Sequence, residues 1–484
     1  MANVLKIATS SSSLKSPKLS LADDRLFSAN ERERQIASEL YKQVKELPII
    51  SPHGHTDPAW FSTNDNFSNA TDLLLSPDHY VFRMLYSQGI NLDNLGVASR
   101  AGPSNCDSRA AWRLFAENYY LLRGTASHVW LNHVFSEVFA FEIALDGQSA
   151  DFYYDAIGEA LATEAFKPRA LFERFNIEVI STTESPIDEL IHHREIAQSG
   201  WAGRVISAYR PDNVVDASRD DFFESWQQFG ELSGETLGNF KSYIRAHQNR
   251  RAYFKSLGVT SSDHGHESAR TADLSAEECE KLYQKIITNK YSENDAELFA
   301  AQMLTEFAKM SLDDRLVMQI HAGANRNHNK LIFEKYGRDK GGDLPSPTEY
   351  VRSLKPLLDK FGNESSLSII LFTLDETTYA RELAPMAGHY PALKLGPAWW
   401  FNDSPEGMLR FREQVTPIAG FYNTVGFNDD TRAFLSIPAR HDMARRIDAR
   451  FLASLVASGR LTIDDAQATI IDLSYRLPKA AYKL

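Results

Sequence analysis

The stretch LPIISPHGH, residues 47–55, runs an apolar segment straight into a His-x-His pair. Side chains alternate along a strand, so His53 and His55 leave this one on the same side and can reach a single divalent ion. Strands that end in reactive residues point to a (β/α)8 barrel, whose parallel strands all finish at one mouth. Seven further apolar runs follow the same plan. Residues 177–180 lead into Ser181 to Glu184, 205–209 into Arg210, Pro211 and Asp212, and 258–260 into Ser262 to His266. Residues 316–320 lead into His321 and His328, and 367–374 into Asp375 and Glu376. Residues 393–395 precede Trp399 to Asn402, and 421–427 precede Asn428 to Arg432. Most intervening stretches, such as 347–362 and 404–415, carry helical spacing. Strands alternating with helices pair in parallel, and eight such units predict a closed α/β barrel.

Outside the repeated unit, Ile36, Leu40 and Val44 stand at helical spacing within residues 30–46 and predict a leading helix. Residues 1 to about 20 are rich in Ser and Lys and are expected to be mobile. The chain therefore divides into an N-terminal arm, 1–46, and a catalytic barrel, 47–484. More than 100 residues separate the first two strands, too many for a bare loop. Residues 59–165 read as a helical insertion lying near the barrel mouth.

Composition narrows the partners. A net charge of −12 and a pI near 5.7 argue against a nucleic-acid or anionic-membrane partner. A small anionic substrate stays open, because a few local arginines can override the global charge. Only Cys106 and Cys279 are present, so no disulfide framework or thiolate cluster is expected. No apolar run approaches a membrane span, and the N-terminal residues lack the core of a signal peptide. A cytoplasmic location is expected.

Each motif also has a plain structural reading. His53 and His55 could form a polar turn, although their position after an apolar run favours metal ligation by zinc, with manganese or iron(II) as alternatives. Asp430 is the carboxylate expected to join them, since first and eighth strands are neighbours in a closed barrel. It could instead cap the following helix, and Asp429 competes for either role. Arg432 and Arg210 offer guanidinium groups suited to clamping a carboxylate, or to structural ion pairs. His264 and His266 repeat the His-x-His pattern and raise the question of a second metal. His321 and His328 are candidates for acid–base work or for holding loop carbonyls. Trp399 could wall a sugar-sized pocket or pack the core. His79 and Tyr80 read as an ordinary helix-surface pair.

Together, PHGHTDPAWF (52–61), His79-Tyr80, STTESPIDELIHH (181–193), AYRPD (208–212), RRAYFKSLGVTSSDHGH (250–266), MQIHAGANRNHN (318–329), LGPAWWFNDSPEGMLRF (395–411) and NDDTRAFLSIPARHD (428–442) closely resemble the uronate isomerases, a branch of the amidohydrolase superfamily. The resemblance runs from about residue 30 to the C-terminus, with the segments in the family's order. It implies a metal-dependent-hydrolase-type barrel with a helical insertion after strand one. It also implies interconversion of D-glucuronate with D-fructuronate, and of D-galacturonate with D-tagaturonate. Carried over by position, it places one divalent metal on His53, His55 and Asp430, and proton shuttling on Tyr80 beside His79. Arg432 and Arg210 fall at substrate-engaging positions, and Trp399 and His321 at pocket positions. A second metal at His264 and His266 is not implied. One departure is Ser51, where the family usually has an acidic residue; such a residue could orient the ligands from behind.

The chemistry so implied is proton transfer between C2 and C1 of an open-chain hexuronate through a cis-enediol. Asp430 is the expected base, Tyr80 and His79 relay the hydroxyl proton, and the arginines hold the carboxylate. A mononuclear metal-dependent hydrolase or decarboxylase is the rival on the same scaffold. The absence of a lysine after the fourth run counts against a binuclear hydrolase. Homo-oligomerisation is expected by analogy with similar barrels.

Overall fold

The computed structural model describes residues 16–484. Of the segment expected to be mobile, residues 1–15 lie outside the described residues. Residues 16–20 are pinned instead: the Leu19 N–H donates to the Glu142 carbonyl at 2.8 Å, and the Ala144 N–H to the Pro17 carbonyl at 2.7 Å.

Glu31–Val44 forms the leading helix, started by Asn30, whose side chain accepts from the Glu33 N–H at 3.1 Å. Its apolar stripe buries Ala37, Leu40 and Val44 against Ala449, Leu452 and Ala453 of the long helix Ile437–Ala457. Each such Leu or Val contributes about 1.5–3 kcal/mol of burial, so the arm is fastened to the outside of the barrel.

Seven strands form one parallel sheet in sequence order: β1 Ile49–Ser51, β2 Ile177–Glu184, β3 Arg204–Tyr209, β4 Ser261–His264, β5 Val317–Ala322, β6 Ile369–Thr373 and β7 Leu393–Leu395. That order is what successive right-handed strand–helix units produce. A short antiparallel pair, Ala324–Asn325 with Leu344–Pro345, stands beyond the end of β5.

Three expectations need correcting. The fourth strand occupies Ser261–His264, not 258–260, because Gly258 ends the preceding helix with φ +85°. The helix expected over 347–362 is confined to Lys355–Phe361. The eighth run, 421–427, contributes a single parallel bridge, Leu395 with Thr424, and no strand. Gly426 explains this: its φ is +78°, and a Cβ there would sit 2.6 Å from Pro478 and 2.7 Å from the Leu473 carbonyl. The chain must bend at that point to pass under the C-terminal helices. The barrel closes one step later, where the Asp430 N–H donates to the His53 carbonyl (3.2 Å) and the His55 N–H to the Thr431 carbonyl (2.9 Å).

Between β1 and β2 the chain builds helices Pro58–Thr63, Ala70–Leu74, His79–Tyr86, Ser108–Glu117, Ala126–His133, Ala150–Leu161 and Pro168–Arg174. Aromatic side chains tie them together: Phe61 of Pro58–Thr63 and Phe172 of Pro168–Arg174 have centroids 6.1 Å apart in an edge contact. Among the described residues no helix is long and apolar enough to cross a membrane.

Candidate active site

The irregular seam between β1 and the eighth segment brings His53, His55 and Asp430 together. The Asp430 Oδ1 atom lies 3.4 Å from His53 Nε2 and 3.3 Å from His55 Nε2. The left-handed backbone at Asp430 (φ +41°) turns its side chain toward the imidazoles and does not cap the following helix. Such a conformation costs a non-glycine residue roughly 1–3 kcal/mol, and it clusters at functional sites. Asp429 turns the other way, its Oδ2 3.0 Å from His441 Nε2. Burial would raise the Asp430 carboxyl, but the His53 and His55 contacts outweigh it and hold it well below the usual range. Burial lowers His55 to about 4. At His53 burial opposes the charged ring, yet Asp263 and Asp430 outweigh it and raise its pKa, so a cation there would compete with a proton.

The three residues fit a divalent ion. Bonds of about 2.1 Å at tetrahedral angles separate ligand atoms by roughly 3.4 Å, close to the spacings above. Asp430 Oδ1 is buried with no hydrogen-bond partner of good geometry. Among the described residues this is the sole group of three potential ligands able to share an ion. His264 does not join a second one: its Nε2 meets Ser262 Oγ at 3.0 Å and its ring packs on Phe307. His266 lines the mouth cavity without such partners. Ser51 is buried, its hydroxyl unpartnered.

On the opposite wall Asp263, fully buried on β4, gathers three cationic or imidazole groups. His321 Nε2 lies 2.8 Å from its Oδ1, Arg210 Nη1 3.4 Å from Oδ2, and His53 Nδ1 3.9 Å from Oδ1. Burial opposes ionisation at Asp263, but His321, His53 and Arg210 hold its carboxyl far below the usual range. Arg210 Nε also donates to Asp212 at 2.8 Å. Gly265 makes this convergence possible: a Cβ there would sit 2.5 Å from the Arg210 guanidinium and 2.8 Å from both Asp212 and His321. Asp263 was missed from sequence because the strand was placed three residues early, leaving the aspartate in a loop; the signal was SSDH read as strand.

A cavity of about 1700 Å³ opens over these groups, lined by His53, His55, His79, Tyr80, Arg210, His321, Trp399, Asp430 and Arg432. His328 is exposed and takes no part in it. Trp399 does both things weighed for it, since it lines the cavity, donates Nε1–H to the Thr373 carbonyl at 3.1 Å and packs edge-on against His321. His79 and Tyr80 arrive from the first turn of His79–Tyr86, started by Asp78, whose side chain accepts from the Tyr80 N–H at 2.9 Å. Their rings stack at 5.1 Å and both line the cavity, so they are not the helix-surface pair expected. Burial, reinforced by Arg432, lowers His79 to about 3. Arg432 reaches across to Asp339 at 3.2 Å.

A family model described as glucuronate isomerase matches residues 25–482. The uronate isomerase of Phenylobacterium zucineum (strain HLK1) is 64% identical over 466 residues, covering 96% of this chain and 97% of its own. That of Xanthomonas axonopodis pv. citri (strain 306) is 63% identical over 472 residues, covering 97% of this chain and all of its own (100%). The crystal structure of glucuronate isomerase from Caulobacter crescentus superposes with a TM-score of 0.96 at 61% identity, covering 96% of this chain and 97% of that one. With the match running almost end to end, the chain belongs to the glucuronate (uronate) isomerase family.

Proposed function

We propose that this chain is an aldose–ketose isomerase interconverting D-glucuronate with D-fructuronate, and D-galacturonate with D-tagaturonate. The observation that carries the reading is the convergence of Asp430 with two imidazoles under a cavity flanked by Arg432 and Arg210. An isomerase needs a base at carbon, a relay at oxygen and a clamp for the acid group, and each has a candidate here.

The open-chain substrate lies with its carboxylate toward Arg432, whose present partner Asp339 marks where a carboxylate is favoured. Arg210, steadied between Asp212 and Asp263, orients the hydroxyls. Asp430 takes the proton from C2 and returns one to C1, and the intermediate is a cis-enediol. Tyr80 takes the proton from O2 and supplies one to O1, so each group ends as it began. His79, kept neutral by burial, packs on Tyr80 and limits its motion. His321 and Trp399 shape the floor. A divalent ion, which we assign as zinc, would be held by His53, His55 and Asp430 and would supply positive charge for the developing enediolate.

Proton NMR of D-glucuronate with the protein in D₂O tests the reading. Ketose resonances should appear, with deuterium at C1 reporting exchange of the moving proton. A preparation that leaves the uronate unchanged while cleaving esters or amides would instead establish the hydrolase alternative.

A further inference from the structure

Behind Tyr80 stands a buried ion pair, Asp403 with Arg440, that the mechanism above does not use, although Arg440 also borders the cavity. The Tyr80 hydroxyl donates to Asp403 Oδ2 at 3.1 Å, and Arg440 Nη1 donates to the same oxygen at 3.2 Å. Arg440 is held at three further points. Its guanidinium lies 3.6 Å from the centre of the Trp130 ring, Nε donates to Ser436 Oγ at 3.2 Å, and Nη1 donates to the Asp429 carbonyl at 3.1 Å. Arg440 is 2% exposed and Asp403 5%.

A buried pair of this kind gains little net stability over apolar packing, because desolvation offsets the attraction. Its position explains it better. Three distant pieces of chain meet at one phenol: the insertion (Tyr80), the loop after β7 (Asp403) and the helix Ile437–Ala457 (Arg440). Through the Asp429 carbonyl, Arg440 also ties this group to the residue beside Asp430.

We propose that Asp403, held by Arg440, is the positioning residue for Tyr80. It turns the phenol's hydrogen away from the cavity, leaves an oxygen lone pair facing the substrate, and takes up that hydrogen as Tyr80 accepts one. The step balances: the proton leaving O2 arrives on Tyr80 Oη while the phenol's own proton crosses to Asp403 Oδ2. The reverse hop delivers a proton to O1. Burial first, and Asp403 next, hold the Tyr80 phenol well above its ordinary value, so a free phenolate is a costly intermediate that this relay avoids. The inference rests on the role proposed for Tyr80 above.

The test is a double-mutant cycle on uronate isomerisation with Asp403→Asn, Tyr80→Phe and the two combined. Asp403→Asn should lower kcat about 100-fold with KM changed less than about threefold. Added to Tyr80→Phe, it should cost nothing further. Losses that multiply in the double variant assign Asp403 to the fold alone and overturn the inference, as does an unimpaired Asp403→Asn. If Tyr80→Phe is itself fully active, the earlier assignment of Tyr80 fails instead. Should Asp403→Asn not fold, Arg440→Lys serves the same cycle: a kcat loss in wild type that vanishes with Tyr80→Phe supports the inference, and an equal loss in both backgrounds overturns it.

Discussion

The two walls of the cavity are built in opposite ways. On one wall, Asp263 and His321 sit on β4 and β5, neighbours in a continuous parallel ladder. On the other, His53, His55 and Asp430 sit on a seam with almost no ladder, joined by two backbone hydrogen bonds and a left-handed aspartate. The regular wall fixes a buried carboxylate, Asp263, within ion-pair distance of His321, Arg210 and His53. The irregular wall turns a carboxylate and two imidazoles toward one point, a geometry that straight strands do not offer. Precision at the first wall comes from strand register, and at the second from local backbone strain held by its surroundings.

The largest effect should come from the seam. Asp430→Asn should reduce turnover by about 10⁴-fold, since it would remove the proposed carbon base and metal ligand together. Its circular dichroism should stay native, and near-normal rates would remove Asp430 from that role. Asp263→Asn tests the opposite wall. It should lower kcat by about 10–100-fold while leaving metal content unchanged, because Asp263 steadies His53, His321 and Arg210 without itself reaching the ion. Loss of metal with that variant would merge the two walls into one unit and break the contrast.

The seam was the more legible wall in the sequence, despite being the less regular. Its residues follow apolar runs in short motifs, so His53, His55 and Asp430 could be named without knowing the strand register, although spacing could not choose between Asp429 and Asp430. Asp263 depends on register, and an error of three residues hid it. The overall alternation of strands and helices was also readable. The missing eighth strand was not, because the bend at Gly426 answers to the C-terminal helices packed against it. Asp339, Asp403 and Arg440 were equally hidden, since each meets the site from a segment far away along the chain.

A smaller effect concerns the rim. Arg432→Ala should raise KM for uronates about 10–100-fold with a lesser change in kcat, the loss of one charged hydrogen-bonded clamp. An unchanged KM would move carboxylate binding to Arg210 and the regular wall. The smallest effect is on stability. His79 is held near 3 in the folded chain against an ordinary 6.5, chiefly by burial, so between those values the unfolded chain binds the extra proton. Folding is therefore weakened progressively as pH falls through that window, and the contribution is whole above it. In metal-free protein, the melting temperature of His79→Gln should drop less than that of wild type between about pH 7 and about pH 5. An equal drop would show that His79 is not kept neutral by its place beside Tyr80.

The most direct test of the account is a zinc titration of metal-free protein against a competing chelating dye. One tightly bound equivalent per chain in the wild type, lost in His55→Ala and kept in Asp263→Asn, is the predicted result. Undiminished binding in His55→Ala, or no tight equivalent in the wild type, would contradict the assignment of the seam as the metal-holding wall.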